Sequence, residues 1–314
     1  MNPILALSTA WCSARHTDGY AMLREVADLG FGYVELSHGI RIALVPGLLR
    51  ALQEGFIKAS SLHNFCPLPT GMLHAAPNLF EPSAPAGHGY EHEQWLRHTR
   101  RTLDFAAQVQ ARAVVLHLGC VRFPWLHPGR RLRRFARRHP GAAIPTDPRY
   151  QKVLAAAWAR LRRRQPAFWK QARSSVEEIV PYAAGKGVPL GFENRERFEE
   201  LPLDADFPDF LQSVARPEQA GYWHDTGHAE LKERMGVITQ RRLLEANAGR
   251  LLGFHLHDVD AEGHDHRPLG RGRIDFKMVR QFWQSHHLLV LELNSRADAS
   301  EVRESRERIE ELLR

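Results

Sequence analysis

VPLGFE, residues 188–193, is a short apolar run that stops on a carboxylate, Glu193. The same form recurs on both sides of it. IKASSL stops at His63, AVVL at His117, GYWH at Asp225, LLGF at His255, and LLVLEL carries Glu292. Short apolar runs separated by stretches of helical period read as parallel strands joined by crossover helices. A parallel barrel keeps its chemistry at the C-terminal rim of its strands, which is where these polar residues fall. The pattern predicts a metal-dependent barrel enzyme.

The alternation continues through the chain. Strand ILALS (4–8) precedes a helix over 18–29, strand YVEL (33–36), a helix after Pro46, and strand IKASSLH (57–63). After a loop rich in Pro and Gly (64–90) comes an amphipathic helix over 91–110, whose Trp95, Leu96, Thr99, Leu103 and Ala106 recur at helical spacing. Strand AVVLH follows (113–117). Residues 121–165 break the rhythm, being longer than an ordinary connection and full of Arg, Pro and Trp, and read as an arginine-rich insertion on the rim after the fourth strand. Helix 167–184, strand VPLGFE, a short helix near 207–214, strand GYWHD, helix 237–249, strand LLGFHLH, helix 275–285, strand LLVLEL and a helix from Ser300 complete eight strands and eight helical connections. We expect a single (β/α)8 TIM barrel domain over 1–314. Eight such units favour closure over an open doubly wound sheet, whose glycine-rich turn after the first strand is replaced here by STAWCSARH.

With 314 residues, 43% of them hydrophobic, the chain can bury one large core. The opening MNPILALSTAWC has no basic leader, and no stretch approaches the ~20 apolar residues of a membrane span, so a cytoplasmic location is expected. Cys12, Cys66 and Cys120, an odd number without paired spacing, read as small buried residues in a reducing compartment. The net charge of +7 owes much to Arg130, Arg131, Arg133, Arg134, Arg137 and Arg138 and to Arg160, Arg162, Arg163 and Arg164. Such groups serve either as a solvated surface or as a grip on phosphates, nucleic acid included.

Glu193, Asp225, His255 and Glu292 come from the fifth to eighth strands and should be neighbours on one side of the mouth. Carboxylates with one imidazole suit Mn, Mg, Co or Zn, with positions left for substrate oxygens. Two glutamates flanking one carbon can remove and return a proton. That is the equipment of an aldose–ketose isomerase or epimerase acting through an enediolate.

Through GFEN (191–194), HDTGH (224–228), HLHD (255–258) and LELN (291–294), the chain resembles the xylose isomerase-like barrels. These include sugar and sugar-phosphate isomerases and epimerases and the endonuclease IV type of abasic-site nuclease. The resemblance spans nearly the whole chain apart from 121–165. It implies Glu193, Asp225, His255 and Glu292 as the shared ligands of one divalent metal. In the epimerase branch Glu193 and Glu292 would also be the acid/base pair, and His228 would touch substrate. The nuclease branch holds three zinc ions; His63 and His117 match ligands of one, and His228 and His266 match ligands of another. At the position two before His266, where that branch has Asp, this chain has His264, with Asp265 beside it; His264 is a candidate, with His63, His117, His228 and His266, for a further metal or for substrate.

The remaining candidates surround this core. His257, on the face of His255, reads as a residue that braces a ligand or touches substrate. Arg267, in a polar loop that could close over the mouth, is a candidate for holding a substrate anion, as are Arg271 and Arg273. Trp11, Phe65 and Trp125 could wall a sugar ring. Two functions result. One is a metal-dependent sugar or sugar-phosphate isomerase or epimerase needing one ion. The alternative is a multi-metal zinc phosphodiesterase, acting on abasic DNA or another phosphoester and needing two or three.

Overall fold

The computed structural model describes residues 2–72, 76, 78–85, 89–139 and 144–314. Eight parallel strands pair in chain order and close: β1 (Ile4–Ser8), β2 (Tyr33–Leu36), β3 (Lys58–His63), β4 (Val114–Leu116), β5 (Leu190–Glu193), β6 (Ala220–Asp225), β7 (Leu251–Leu256) and β8 (Leu288–Leu291). Closure is made by β1 against β8, with Ile4 opposite Leu288 and Leu7 opposite Leu291. The helices are α1 (Gly19–Asp28), α2 (Val45–Glu54), α3 (Gly89–Gln108), α4 (Pro128–Arg138), α5 (Pro148–Lys186), α6 (Phe207–Ser213), α7 (Thr226–Arg234), α8 (Gln240–Asn247), α9 (Phe276–Arg280) and α10 (Ala299–Leu313). The TIM barrel read from the sequence is the fold.

The two-residue period of each strand decides what the barrel interior contains. Tyr33 and Glu35, Ser61 and His63, Val115 and His117, Gly191 and Glu193, Trp223 and Asp225, Gly253 and His255, and Val290 and Glu292 each share a face. An apolar plug of Ala6, Ala113, Val115, Trp223, Leu288 and Val290 therefore lies inside the strands, beneath a polar layer at their C-terminal ends. The opposite faces join the helices in a larger core that includes Leu7, Val34, Leu62, Leu116, Phe192, Tyr222, Phe254 and Leu291.

The stretch 121–165 is helical over much of its length. It comprises α4 and the first half of α5, packed on each other, with 140–143 outside the described residues. The helix expected to begin at 167 instead runs 39 residues from Pro148, passing through Pro166 and Pro181. Here Asp147 caps α5, accepting from the backbone N–H of Arg149 and Tyr150. Tyr150 then donates to the Met235 carbonyl at 2.8 Å, tying the helix to the segment after α7. Helices expected over 237–249 and 275–285 shorten to α8 and α9. Part of the 64–90 loop, including 73–75, 77 and 86–88, lies outside the described residues.

Trp223 fills the plug because its neighbours have no side chains. A Cβ on Gly191 would stand 2.9 Å from the indole, and one on Gly253 would stand 2.6 Å from it and 2.7 Å from the Leu288 carbonyl. Neither backbone oxygen nor a fully buried indole can give way cheaply. Gly253→Ala should therefore lower the unfolding free energy by about 1–3 kcal/mol in urea titrations. Adding Trp223→Leu should make the double variant less unstable than the two single losses predict. Strict additivity would show that the two positions do not share this space.

Candidate metal centre

Glu193, at the end of β5, is the point where the polar layer meets. Its Oε1 lies 2.8 Å from His255 Nδ1. Its Oε2 lies 2.5 Å from His117 Nε2, 2.9 Å from Arg195 Nη1 and 3.7 Å from His63 Nε2. His255 Nδ1 in turn faces Glu292 Oε2 at 3.3 Å and Asp225 Oδ2 at 3.9 Å. Its other nitrogen meets Glu35 Oε2 at 3.1 Å. Glu35, Glu193, Asp225 and Glu292 are each at most 5% exposed.

Buried carboxylates need compensating charge. Burial pushes the Glu193 carboxyl up, but Arg195, His255 and His117 together hold it well below the usual carboxylate range. Burial likewise opposes the charged form of His255, and Glu292, Glu35 and Glu193 overcome it, raising the imidazole well above its ordinary value. His117 is held neutral by burial and then by Arg195. One nitrogen, His255 Nδ1, offers at most one proton to three carboxylates. A divalent cation among Glu193, Asp225, His255 and Glu292 would meet all of them, and their ligand atoms already lie within 4.8 Å of one another. This donor set fits such an ion. Glu35 would then orient His255 through Nε2, as carboxylates commonly do behind metal-bound histidines.

Three further groups satisfy the same 4.8 Å condition; one, Asp260, Glu262 and His264, lies on the largely exposed turn after β7, and two belong to the mouth. His63, His117 and Glu193 form one, with the rings of the two histidines edge to face at 4.7 Å. Asp225, His228, His257 and His266 form the other. Within it, His257 Nδ1 accepts from the His266 backbone N–H at 2.9 Å, so Nε2 carries the proton and donates to Asp225 Oδ2 at 3.0 Å. Both nitrogens of His257 are engaged, and it braces Asp225. Asp225 Oδ1 also accepts from the His228 backbone N–H, capping α7, while Oδ2 faces the His228 ring at 3.3 Å. His266 stacks on His257 at 4.2 Å and reaches Glu292 at 3.6 Å.

Several expected residues are elsewhere. The His264 side chain is 65% exposed and bonds Asp260, because the turn after β7 directs it to solvent. Arg267 is also held by Asp260, through two nitrogens at 2.8 Å, rather than reaching over the mouth. Arg271 pairs with Glu301 and Arg273 with Glu230. Trp11 is 2% exposed and gives its indole N–H to the Ala297 carbonyl; Phe65 is 1% exposed, edge-on to Phe80 and His98. Neither presents a ring face to solvent. Trp125 is on the surface. Cys12 and Cys66 are buried, and burial raises both thiols, Cys12 to about 12.

Three contributors escaped the sequence reading. Glu35 lies inside YVEL rather than after it, and only strand alternation signals that it faces inward. Arg195, two residues past Glu193, is 7% exposed between Glu193 and Glu200. Asn194 braces Asp225 twice: its Oδ1 accepts from the Asp225 N–H at 2.7 Å, and its Nδ2 donates to the Asp225 carbonyl at 3.0 Å.

Outside the barrel wall, a chain of bonds supports that brace. Gln240 donates to His224 Nε2 at 3.2 Å, so His224 Nδ1 carries the proton and donates to the Tyr222 hydroxyl at 2.8 Å, which donates to Asn194 Oδ1 at 3.0 Å. The chain requires neutral His224, and burial depresses its pKa to about 3. In the unfolded chain the imidazole titrates near ~6.5, so unfolding takes up a proton between those values. This contribution to stability is complete above about pH 6.5 and lost as pH falls toward 3. His224→Leu should flatten the dependence of unfolding free energy on pH in that window by about 1.4 kcal/mol per pH unit; an unchanged slope in urea titrations would show that His224 is already protonated when folded.

A family model described as xylose isomerase-like TIM barrel matches residues 23–312. No curated protein matches the sequence. Among solved structures, a D-tagatose 3-epimerase-like protein is 16% identical, with a TM-score of 0.64 covering 100% of this chain and 97% of that one. An L-ribulose 3-epimerase is 13% identical, with a TM-score of 0.67 over 100% and 95% of the two chains. A 3-keto-D-glucoside 4-epimerase from E. coli is 14% identical, with a TM-score of 0.64 over 98% and 99%. Likeness at these identities is likeness of fold.

Proposed function

We propose that this chain, which belongs to the xylose isomerase-like TIM barrel family, is a divalent-metal-dependent isomerase or epimerase of a sugar or sugar phosphate. One observation carries the reading. Glu193 and Glu292, from β5 and past β8, reach the same nitrogen, His255 Nδ1, at 2.8 and 3.3 Å. Two carboxylates converging on one point can serve two faces of a substrate held there. The sugar epimerases among the structural neighbours support the same class.

Glu193, Asp225, His255 and Glu292 would hold the ion, which when bound supplies a Lewis acid for the substrate's carbonyl and hydroxyl oxygens. The chain's residues do the rest. One glutamate takes the proton from the carbon beside the carbonyl, and the electron pair moves into an enediolate. The other returns a proton, to the opposite face for epimerisation or to the neighbouring carbon for isomerisation. Arg195 keeps Glu193 ionised and fixes its second oxygen. Glu35, Asn194 and His257 hold His255 and Asp225 in place, and His228 lies beside them for a substrate hydroxyl. Glu193→Gln and Glu292→Gln should each reduce turnover about 10²–10⁴-fold, and each should slow exchange of the substrate's carbon-bound proton with deuterium oxide. Full exchange in both variants would remove them as the acid/base pair.

A second reading has its own observation. His63 and His117 stand on the Oε2 side of Glu193 while His255 stands on the Oε1 side, so Glu193 could bridge two ions. Paired ions suit phosphodiester hydrolysis, in which both attacking and leaving oxygens need stabilising. Elemental analysis of protein purified without chelator distinguishes the two. About one equivalent, unchanged in His63→Ala and His117→Ala, favours the isomerase; two or three equivalents of zinc, reduced in those variants, favour the phosphodiesterase.

A further inference from the structure

The stretch between β4 and β5 builds a groove beside the mouth. Its volume is about 720 Å³, within the ordinary range for small-molecule sites of ~300–1,000 Å³. One wall is α4, which presents Arg130, Arg133 and Arg137 at helical spacing. Among the described residues, none of the three has a carboxylate partner. The groove's other arginines are engaged: Arg122 with Glu81, Arg197 with Glu196, and Arg234 with Glu230.

The opposite wall carries Glu196, Glu199 and Glu200. These are also committed. Glu199 accepts from the Gly129 N–H at 2.6 Å, fixing the first turn of α4 against the rim. Glu200 accepts from the Arg197 N–H at 2.8 Å and faces Arg195 at 3.6 Å. Arg195 then contacts Glu193 at 2.9 Å, so the groove floor is one side chain from the centre. Its Nε, buried on the side facing Glu200, has no hydrogen-bond partner.

We infer that this groove is an anion subsite, in which Arg130, Arg133 and Arg137 take the phosphate group of a phosphomonoester whose reacting carbon sits at Glu193 and Glu292. The inference rests on the isomerase reading for the reacting end; the anion site itself stands on the unpaired arginines. Their charge is confined to one helix face, from Arg130 to Arg137, roughly 10 Å of helix, and the facing wall is acidic. A ligand with one anionic end and a hydroxylated body matches that polarity. A long nucleic-acid backbone would meet the carboxylates.

The test is calorimetric titration of the metal-loaded protein with inorganic phosphate, ribose 5-phosphate, ribose and a short duplex DNA. Arg133→Gln with Arg137→Gln is compared with Arg131→Gln with Arg138→Gln, which removes equal charge from α4 at positions that do not line the groove. All four arginines are exposed, so both variants should fold like the parent. The expected result is at least a tenfold loss of ribose 5-phosphate and phosphate affinity in the first variant only, with ribose unaffected. Equal losses in both variants, no phosphate binding by the parent, or DNA binding through these arginines without ribose 5-phosphate binding would each overturn the proposal. Metal content and proton exchange on the same samples separate its failure from that of the isomerase reading. Phosphate held by the groove with no exchange on any sugar phosphate would retain the anion site and remove the isomerase.

Discussion

The concentration of buried negative charge around Glu193 is the constraint on which the rest of this structure depends. Four carboxylates within one mouth, each at most 5% exposed, would repel one another strongly in a medium of low permittivity. Arg195 answers part of that charge from the rim side. Histidines answer more, His255 by carrying a proton between Glu35 and Glu193. His63 and His266 add to this, each raised above the ordinary imidazole value against the cost of burial, His63 by Glu193 and His266 by Asp265 and Glu292, and a divalent cation where the oxygens converge would do the same work. Holding such a set together is work for a rigid scaffold, and closure of β1 onto β8 provides it, since no strand can move outward without breaking a ladder on each side.

The apolar plug below the site serves the same end. Trp223 is seated by Gly191 and Gly253, and each of these three residues stands two places before a candidate ligand: Glu193, Asp225 and His255. One strand period thus couples a packing position to a chemical one. The indole also lies edge to face with His255, ring centres 5.2 Å apart, so the imidazole is held by carboxylates above and an aromatic surface below. Stability and ligand geometry share the same side chains here.

This coupling explains which parts were legible in the sequence. Runs that end on His, Asp or Glu declare both the strand and its working end, so the barrel and the residues gathered at its mouth could be read directly. Glu35 was overlooked because it precedes the end of its run, where only the alternation along β2 gives its inward direction. Arg195 and Asn194 lie past a strand end, where direction is set by the loop and its partners. His264 was misplaced for the converse reason: its neighbours in sequence belong to the site, but the turn that delivers His266 sends His264 to Asp260. The early start of α5 was not legible because a proline's cost to a helix is local, and α5 runs through Pro166 while held along its length by packing against α3 and α4.

Glu193 also links the two functional readings to one physical question. Its Oε1 belongs to the set around His255, and its Oε2 faces His117, His63 and Arg195. Arg195 is a fixed cation on the side where a second ion would stand, and its presence beside Oε2 opposes another positive charge there. Neutral His117, 2.5 Å from that same oxygen, instead keeps a nitrogen able to act as a ligand. The guanidinium therefore favours one ion, whereas the paired imidazoles favour two.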